Sequence, residues 1–572
     1  MDKKLLKQAR GEEKVDILFK NGRVVDVFNG EIVEENVAVA DGKVIGYGDY
    51  QGKEEIDLDG RILSPGFIDG HLHIESGMVE VKEFARQVIA SGTTTIFADP
   101  HEIANVSGMK GIEYIYQGAK ELPWNLFLMF PSAVPAASAG TPGAIIDAQK
   151  MSQLFSEEKF FGLGEVMDFI NVIAGDDKTW EKLEITGETF KDGHAPGVSG
   201  KELNAYLMAD IGADHECTTA KEAIEKIRSG MYVMIREGSA TKDLLNLLPG
   251  INSNNMRRFL LATDDRHPQD LVEEGHINFL MKKLHKSGIN PVEAIRLGTI
   301  NAAECFGLDN LGAIAPGYQA DLVVIDDFDN WNIDMVFKDG KMVAKEGEST
   351  FSMSSKIDQD LKKEVMNSVN IGRILSENFE LLKGNKFRVM ELSPDQIITK
   401  QQIVNLSFEE TEVKQELIKN DLVKIAVVDR HQATGNVGLG LLKGFGLEEG
   451  AIATSIAHDS HHIITAGLDK DDMYRAVKKV EELDGGIVIV KEGEVLAKLP
   501  LSIAGLMSKL SLDEVAIRIN KMKEITESLG VKIREPFMTL SFMALPVIPE
   551  LKITDKGLFD VKQLEYVQLN ID

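Results

Sequence analysis

Cysteine is nearly absent from this chain: two residues in 572, Cys217 and Cys305. That excludes a disulfide framework and fits a reducing compartment. No apolar run approaches the roughly 18 residues a transmembrane helix needs, and the N-terminal MDKKLLKQARGEEKVDILF lacks the continuous apolar stretch of a signal peptide. The expected location is the cytoplasm. Basic charge is also scarce, with 63 Lys and Arg against 91 Asp and Glu and a formal net charge of −28. Without a basic patch, neither a nucleic acid nor an anionic membrane is an expected partner. Tandem repeats and low-complexity tracts are missing as well. What remains, 43% hydrophobic and 27% charged residues, is ordinary globular composition in a chain long enough for two to four structural units.

Residues 15 to 64 read as short strands separated by Asn21-Gly22, Asp41-Gly42 and Asp59-Gly60, dipeptides that accept the positive φ of hairpin turns. FKNGRVV at 19–25 has a near echo in FKDGKMV at 337–343. The economical reading is one composite β-sandwich made from residues 1–65 and 312–350, with a domain inserted between its halves. The insert, 66–311, alternates eight apolar strand-like runs with amphipathic helical stretches such as VEVKEFARQVIASG. Eight βα units imply an α/β fold of the TIM type, a closed parallel (β/α)8 barrel. Residues 351–385 read as a charged helical connector. Residues 386–572 read as a C-terminal α/β domain with strands such as LVKIAVVDRH and GGIVIVKEGEVLA.

In such barrels the chemistry sits where the strands end at their C-terminal face, and here the apolar runs stop at residues able to bind a metal or move a proton. In GFIDGHLHIESG, residues 66–77, His71 and His73 sit two apart on a strand and share one face. Later runs stop at Asp99, His101 and Glu102, at Glu165, at His194, at His215, at Arg236 and Glu237, and at Asp264 and Asp265. A single strand-end histidine is more often a satisfied polar residue than a ligand, and Asp264 alone would pass for a helix cap. Coincidence at five barrel positions is a poorer account than a metal site. Four histidines (71, 73, 194 and 215) and two carboxylates (165 and 264) are enough for two divalent cations sharing a bridging carboxylate and a hydroxide. Imidazole and carboxylate donors without thiolate suit Mn(II) or Fe(II), with Zn(II) also accommodated. Cys217, two residues past His215, reads as packing.

Two C-terminal motifs, DRHQATGNVGLGLLKGFG and AHDSHHI, gather Asp429, Arg430, His431, His458, Asp459, His461 and His462. They read either as a lid or wall over the barrel mouth that contacts substrate, through His458 and His461, or adds a metal, or else as a polar cluster between domains. The glycines there lack the GK[ST] of a phosphate loop.

PGFIDGHLH after a strand-rich leader, with histidines after strands five and six and an aspartate after strand eight, resembles the amidohydrolase superfamily. Within it, GHLHIESG, ADPHEIANV, GLGEVMD, DGHAPG, DHECT, REGS and TDDRHP resemble the bacterial adenine deaminase family. The likeness runs on through DRHQATGNVGLGLLKGFGL and AHDSHHI and so covers nearly the whole chain. The resemblance implies that His71, His73 and Asp264 hold one ion, that Glu165 bridges, and that His194 and His215 hold the second. Many relatives bridge with a carboxylated lysine, so Glu165 in that place argues against a dihydroorotase or hydantoinase. The resemblance also implies hydrolysis of adenine, a small-molecule substrate, to hypoxanthine and ammonia in purine salvage or adenine catabolism, by a homodimer or larger homo-oligomer. Hydroxide would attack C6, with Asp264 passing its proton to the departing amine. Nucleoside and cytosine deaminases commonly carry a glutamate shortly after the strand-five histidine, whereas His194 is followed by APGVSG. The acid that protonates ring N1 is therefore sought in Glu237, Glu102 or Asp265. Arg236 and His101 are expected near the substrate, Arg236 either orienting the base or pairing with a neighbouring carboxylate. The competing expectation is another deaminase or cyclic amidohydrolase of the superfamily. A non-catalytic scaffold would have lost ligands, and every position here carries an able side chain.

Overall fold

The computed structural model describes residues 3–155, 159–352, 356–381, 384–393, 398–406 and 413–572. The first strands turn where the sequence permits: Asp41-Gly42 and Asp59-Gly60 both adopt positive φ, and Asn21 does so before Gly22. These strands build two sheets. A four-stranded sheet is made wholly from residues 15–57, while a seven-stranded sheet takes 23–26, 31–34 and 62–65 from the leader and 322–325, 333–338, 341–345 and 348–349 from beyond the insert. The join between the halves is the antiparallel pairing of Ile62–Pro65 with Leu322–Ile325, in which Ser64 faces Val323. Phe19 packs edge-on against Phe337 at 5.0 Å and ties the two sheets together.

Between the two halves run eight parallel strands: β1 (Phe67–Leu72), β2 (Thr93–Ala98), β3 (Asn125–Phe130), β4 (Gly162–Val166), β5 (Phe190–Gly193), β6 (Ala213–Asp214), β7 (Tyr232–Arg236) and β8 (Phe259–Ala262). They pair in order as a five-stranded and a three-stranded sheet. One seam closes through a bridge between Leu72 and Asp264, and the other through the Gly212 N–H donating to the Lys191 carbonyl at 3.1 Å. Inward-facing residues from several strands, among them Ile68, Phe97, Met129, Met234 and Leu260, form one buried cluster that fills the barrel.

A helix, Gln359–Met366, lies in the connector; residues 353–355 and 382–383 of that segment lie outside the described residues. The C-terminal domain mixes helices with strands, but its eight-stranded sheet is not assembled from βα repeats. All its pairs are antiparallel except Lys386–Leu392 with Val437–Lys443. Tight turns explain this. Glu492-Gly493, both at positive φ, fold Gly486–Lys491 directly back onto Glu494–Pro500. The helix Leu512–Ser528 packs on the barrel helix Pro268–Glu273 and seats this domain against the barrel. Among the described residues no helix is long and apolar enough to cross a membrane.

Candidate active site

At the C-terminal end of β1, the Nε2 atoms of His71 and His73 lie 3.2 Å apart. The other nitrogen of each ring is engaged behind them. His71 Nδ1 is 2.7 Å from Asp192 Oδ2, and His73 Nδ1 is 2.9 Å from the Asp99 carbonyl oxygen. With the proton on each Nδ1, both Nε2 lone pairs face one point, as metal ligation requires. Asp264 Oδ1 stands 3.2 Å from His73 Nε2 and 3.9 Å from His71 Nε2. Glu165 spans the rest: Oε1 is 3.5 Å from His73 Nε2, and Oε2 is 3.2 Å from His215 Nε2 and 3.8 Å from His194 Nε2.

Local structure explains two of these placements. A Cβ on Gly164 would sit 2.0 Å from Asp99 Oδ2, so glycine is required for that carboxylate to accept the Glu165 N–H at 3.0 Å and fix Glu165. Asp264 occupies the left-handed region at φ 57°, a conformation aspartate tolerates better than most residues. Its N–H donates to the His71 carbonyl at 3.0 Å, so the barrel seam itself holds the turn.

Burial opposes charge on Glu165, yet the His101 and His215 rings beside it hold its carboxyl well below the usual range. Burial likewise opposes charging His215, but the Glu165 carboxylate outweighs it and pushes the imidazole up to about 10. Asp264 is also held low against burial, by His73 and Arg236. Ionised carboxylates interleaved with imidazoles that attract protons form a donor set that divalent cations neutralise better than protons do.

Arg236 is committed to carboxylates. It pairs with Glu216, reaches Asp243 Oδ2 at 3.0 Å, and reaches Asp264 Oδ2 at 3.3 Å, so it orients its acidic neighbours. His101 stands 3.0 Å from Glu165 Oε1 and backs that carboxylate while bordering the cavity. The three acids considered for N1 are placed differently. Glu237 is wholly buried, bonded to Lys283 on the helix Ile277–Lys286, and accepts the Leu244 N–H at 3.3 Å; it does not border the cavity. Glu102 borders it, but one oxygen is 2.7 Å from His458 Nδ1 and the other accepts from His461, and these rings hold its carboxyl well below the usual range despite burial. An ionised, doubly engaged carboxylate has no proton to give. Asp265 remains: it faces the cavity next to Asp264, with Ser76 donating to its Oδ1.

The C-terminal domain forms the wall over this site. His458, Asp459, Phe542, Leu545, Val547 and Ile548 face the metal-ligand candidates across a cavity of about 520 Å³, counting its open mouth. Burial, reinforced by Glu102, pushes the Asp459 carboxyl up to about 6. His462 and His431 lie elsewhere in the domain contact, their rings 4.7 Å apart, with His462 between Asp429 and Asp555. Cys217 is buried with its thiol 3.8 Å from Asp214, and contributes packing.

A split sandwich threaded by a parallel barrel, with imidazole and carboxylate donors converging from the ends of five strands, is the architecture of an amidohydrolase. The amidohydrolase family model matches residues 62–343, and the model for the adenine deaminase C-terminal domain matches residues 396–565. Over 571 residues the chain is 50% identical to the adenine deaminase of Petrotoga mobilis, covering all of both chains. It is 45% identical to adenine deaminase 2 of Carboxydothermus hydrogenoformans, covering all of this chain and 99% of that one. The adenine deaminase of Clostridium acetobutylicum is also 45% identical, over 98% of this chain and 99% of its own. The chain belongs to the adenine deaminase family.

That family implies divalent metal, and the residues present fit it. Among the described residues, His71, His73 and Glu165, then His71, His215 and Asp264, then Glu165, His194 and His215 each bring their donor atoms within 4.8 Å of one another. Thiolate is absent from the set, which suits the harder divalent ions. Sequence reasoning passed over Asp192 and Glu216. Asp192 lies on β5 two residues before His194, which stands one residue past the strand's end, so continuing the alternation puts both on one face. Glu216 carries no such signal, because β6 ends at Asp214.

Proposed function

We propose that this chain hydrolyses adenine to hypoxanthine and ammonia, using two divalent cations held by His71, His73, Glu165, His194, His215 and Asp264. The observation that carries the reading is the convergence of these six side chains beneath an apolar wall, in a chain whose relatives are similar along its whole length. Mn(II) or Fe(II) best suits the donors, and Zn(II) is compatible. When bound, such cations lower the pKa of water to near 7 and so supply a nucleophile at neutral pH.

The remaining work belongs to the protein. Water adds at C6 of the base. Asp264 has one oxygen toward His73 and the other toward Arg236, and takes the proton that water loses. The electron pair displaced from the ring collects at N1, where Asp265, the one surviving candidate of the three, supplies a proton. Asp264 then returns its proton to the amine as the C6–N bond breaks and ammonia leaves, while the new C6 hydroxyl gives its proton back to Asp265 and leaves the carbonyl of hypoxanthine. Phe542, Leu545 and Ile548 exclude bulk water and offer a flat aromatic and aliphatic surface to the purine.

The test is metal removal and return. Chelated protein should release no ammonia from adenine, and Mn(II) should restore release with hypoxanthine formed one to one. Adenosine, cytosine and guanine should be poor substrates beside adenine. Full activity in metal-stripped protein, or an inert metal-loaded enzyme, would overturn the reading.

A further inference from the structure

Three side chains from two domains make one run of hydrogen bonds beside the cavity. The Ala457 N–H donates to His461 Nδ1 at 3.3 Å, so that ring carries its proton on Nε2 and gives it to Glu102 Oε2. The opposite oxygen, Glu102 Oε1, lies 2.7 Å from His458 Nδ1 and accepts from it. The trio also has the spacing of metal ligands, its donor atoms within 4.8 Å. A neutral ring whose Nδ1 accepts a backbone N–H, however, has no Nε2 lone pair for a cation, and burial keeps His461 neutral, its value pushed down to about 4. The trio is a hydrogen-bonded brace. It leaves His458 Nε2, across the ring from Glu102, buried with no hydrogen-bond partner among the described residues. A buried polar group of that kind is costly unless a ligand completes it. His458 borders the cavity, and Phe542 stacks on its ring at 5.1 Å and fixes its plane.

We propose that His458 is a catalytic residue supplied by the C-terminal domain, donating from Nε2 to a ring nitrogen of the purine other than N1, with Glu102 and His461 as positioning residues. The proposal rests on the adenine reading above. Water adding at C6 drives electron density into the ring, so a donor at N3 or N7 strengthens as the tetrahedral carbon forms. The titratable groups facing the imidazole are Glu102, Asp265 and Asp459, with His461 neutral beside them. Burial works against a charged His458, but Glu102 outweighs it and lifts the ring to about 9, so it carries protons on both nitrogens at neutral pH.

Rates on adenine, 3-deazaadenine and 7-deazaadenine test this in metal-loaded wild type, His458→Ala and Glu102→Gln. Comparing substrate ratios between proteins cancels intrinsic reactivity. The penalty for one of the two analogues should be about 10- to 100-fold smaller in His458→Ala than in wild type, with adenine itself losing the same factor in kcat/KM. Metal content equal to wild type shows that the centre is intact. His458→Phe keeps a ring against Phe542 without the N–H and repeats the comparison should the alanine variant not fold. In Glu102→Gln, the alkaline limb of kcat/KM should move from near pH 9 toward the ordinary imidazole range. An unchanged analogue penalty in both His458 variants, or an unmoved limb in Glu102→Gln, would overturn the proposal. A wild type inert on adenine would instead sink the adenine reading.

Discussion

Replacing Asp192 with alanine separates the grip on the cations from the chemistry they support. Asp192 Oδ2 lies 2.7 Å from His71 Nδ1, and both side chains are almost fully buried. The same oxygen is 3.8 Å from His215 Nδ1, so one carboxylate backs a ligand in each half of the centre. A charge-assisted hydrogen bond of this length contributes about 1.5–3 kcal/mol, and groups that orient ligands in this way change metal affinity about 10- to 100-fold. Asp192→Ala should therefore weaken Mn(II) binding by that factor, about 1.4–2.7 kcal/mol. Asp192→Asn keeps an oxygen for the His71 Nδ1–H and loses only the charge, so it should fall between alanine and wild type. The assay is titration of the metal-free protein with Mn(II) against a chromophoric chelator, with circular dichroism confirming the fold. At saturating Mn(II) most of kcat should return. An alanine variant that binds Mn(II) as tightly as wild type would refute the argument, because His71 would then owe nothing to the carboxylate behind it.

Asp264→Asn should retain most of its metal, yet lose about 10²- to 10⁴-fold in ammonia release, the usual share of a positioned proton carrier; stopped assays beside metal analysis check both halves. Asp555 accepts from the Thr141 N–H at 2.9 Å, the Thr141 hydroxyl at 2.6 Å and Asn436 Nδ2 at 3.0 Å, tying a barrel loop to the C-terminal domain. Asp555→Ala should cost about 1–3 kcal/mol in urea unfolding and speed proteolysis within residues 131–147. Glu535 is held below the ordinary carboxylate range, burial being outweighed by His267 of the barrel and by Lys523. The stability it contributes is therefore present above the unfolded glutamate value near 4.3 and is lost as pH falls through its lowered folded value. Glu535→Gln should accordingly show a flatter loss of stability in acid than wild type.

The barrel was legible because burial on both faces makes parallel strands continuous apolar runs, and eight such runs stand out from amphipathic helices. The six ligand candidates were legible for a related reason, since a polar residue that ends an apolar run is expensive there unless something uses it. Strand alternation, applied more strictly, would have improved the list. It turns Arg236 inward and Glu237 outward to Lys283, and it places Asp192 on the face of His194. The antiparallel character of the C-terminal sheet is encoded in turns such as Glu492-Gly493. The docking of the two domains was legible only in the histidine motifs at 429–431 and 458–462. Residues 542–548, FMALPVI, carry no motif, and the packed structure shows which surface they cover.

The seven-stranded sheet has a consequence for how the molecule is made. Ser64 must wait for Val323 to leave the ribosome before the two can pair, and at about 5–20 residues per second that interval is roughly 13–50 s. Throughout it, the leader sheet presents Ile62–Pro65 as an open edge, with the apolar Leu63 in it, a surface on which strands of another nascent chain can add. Slow translation or crowded polysomes should therefore favour tangled products whose lesion lies in the first sixty-five residues.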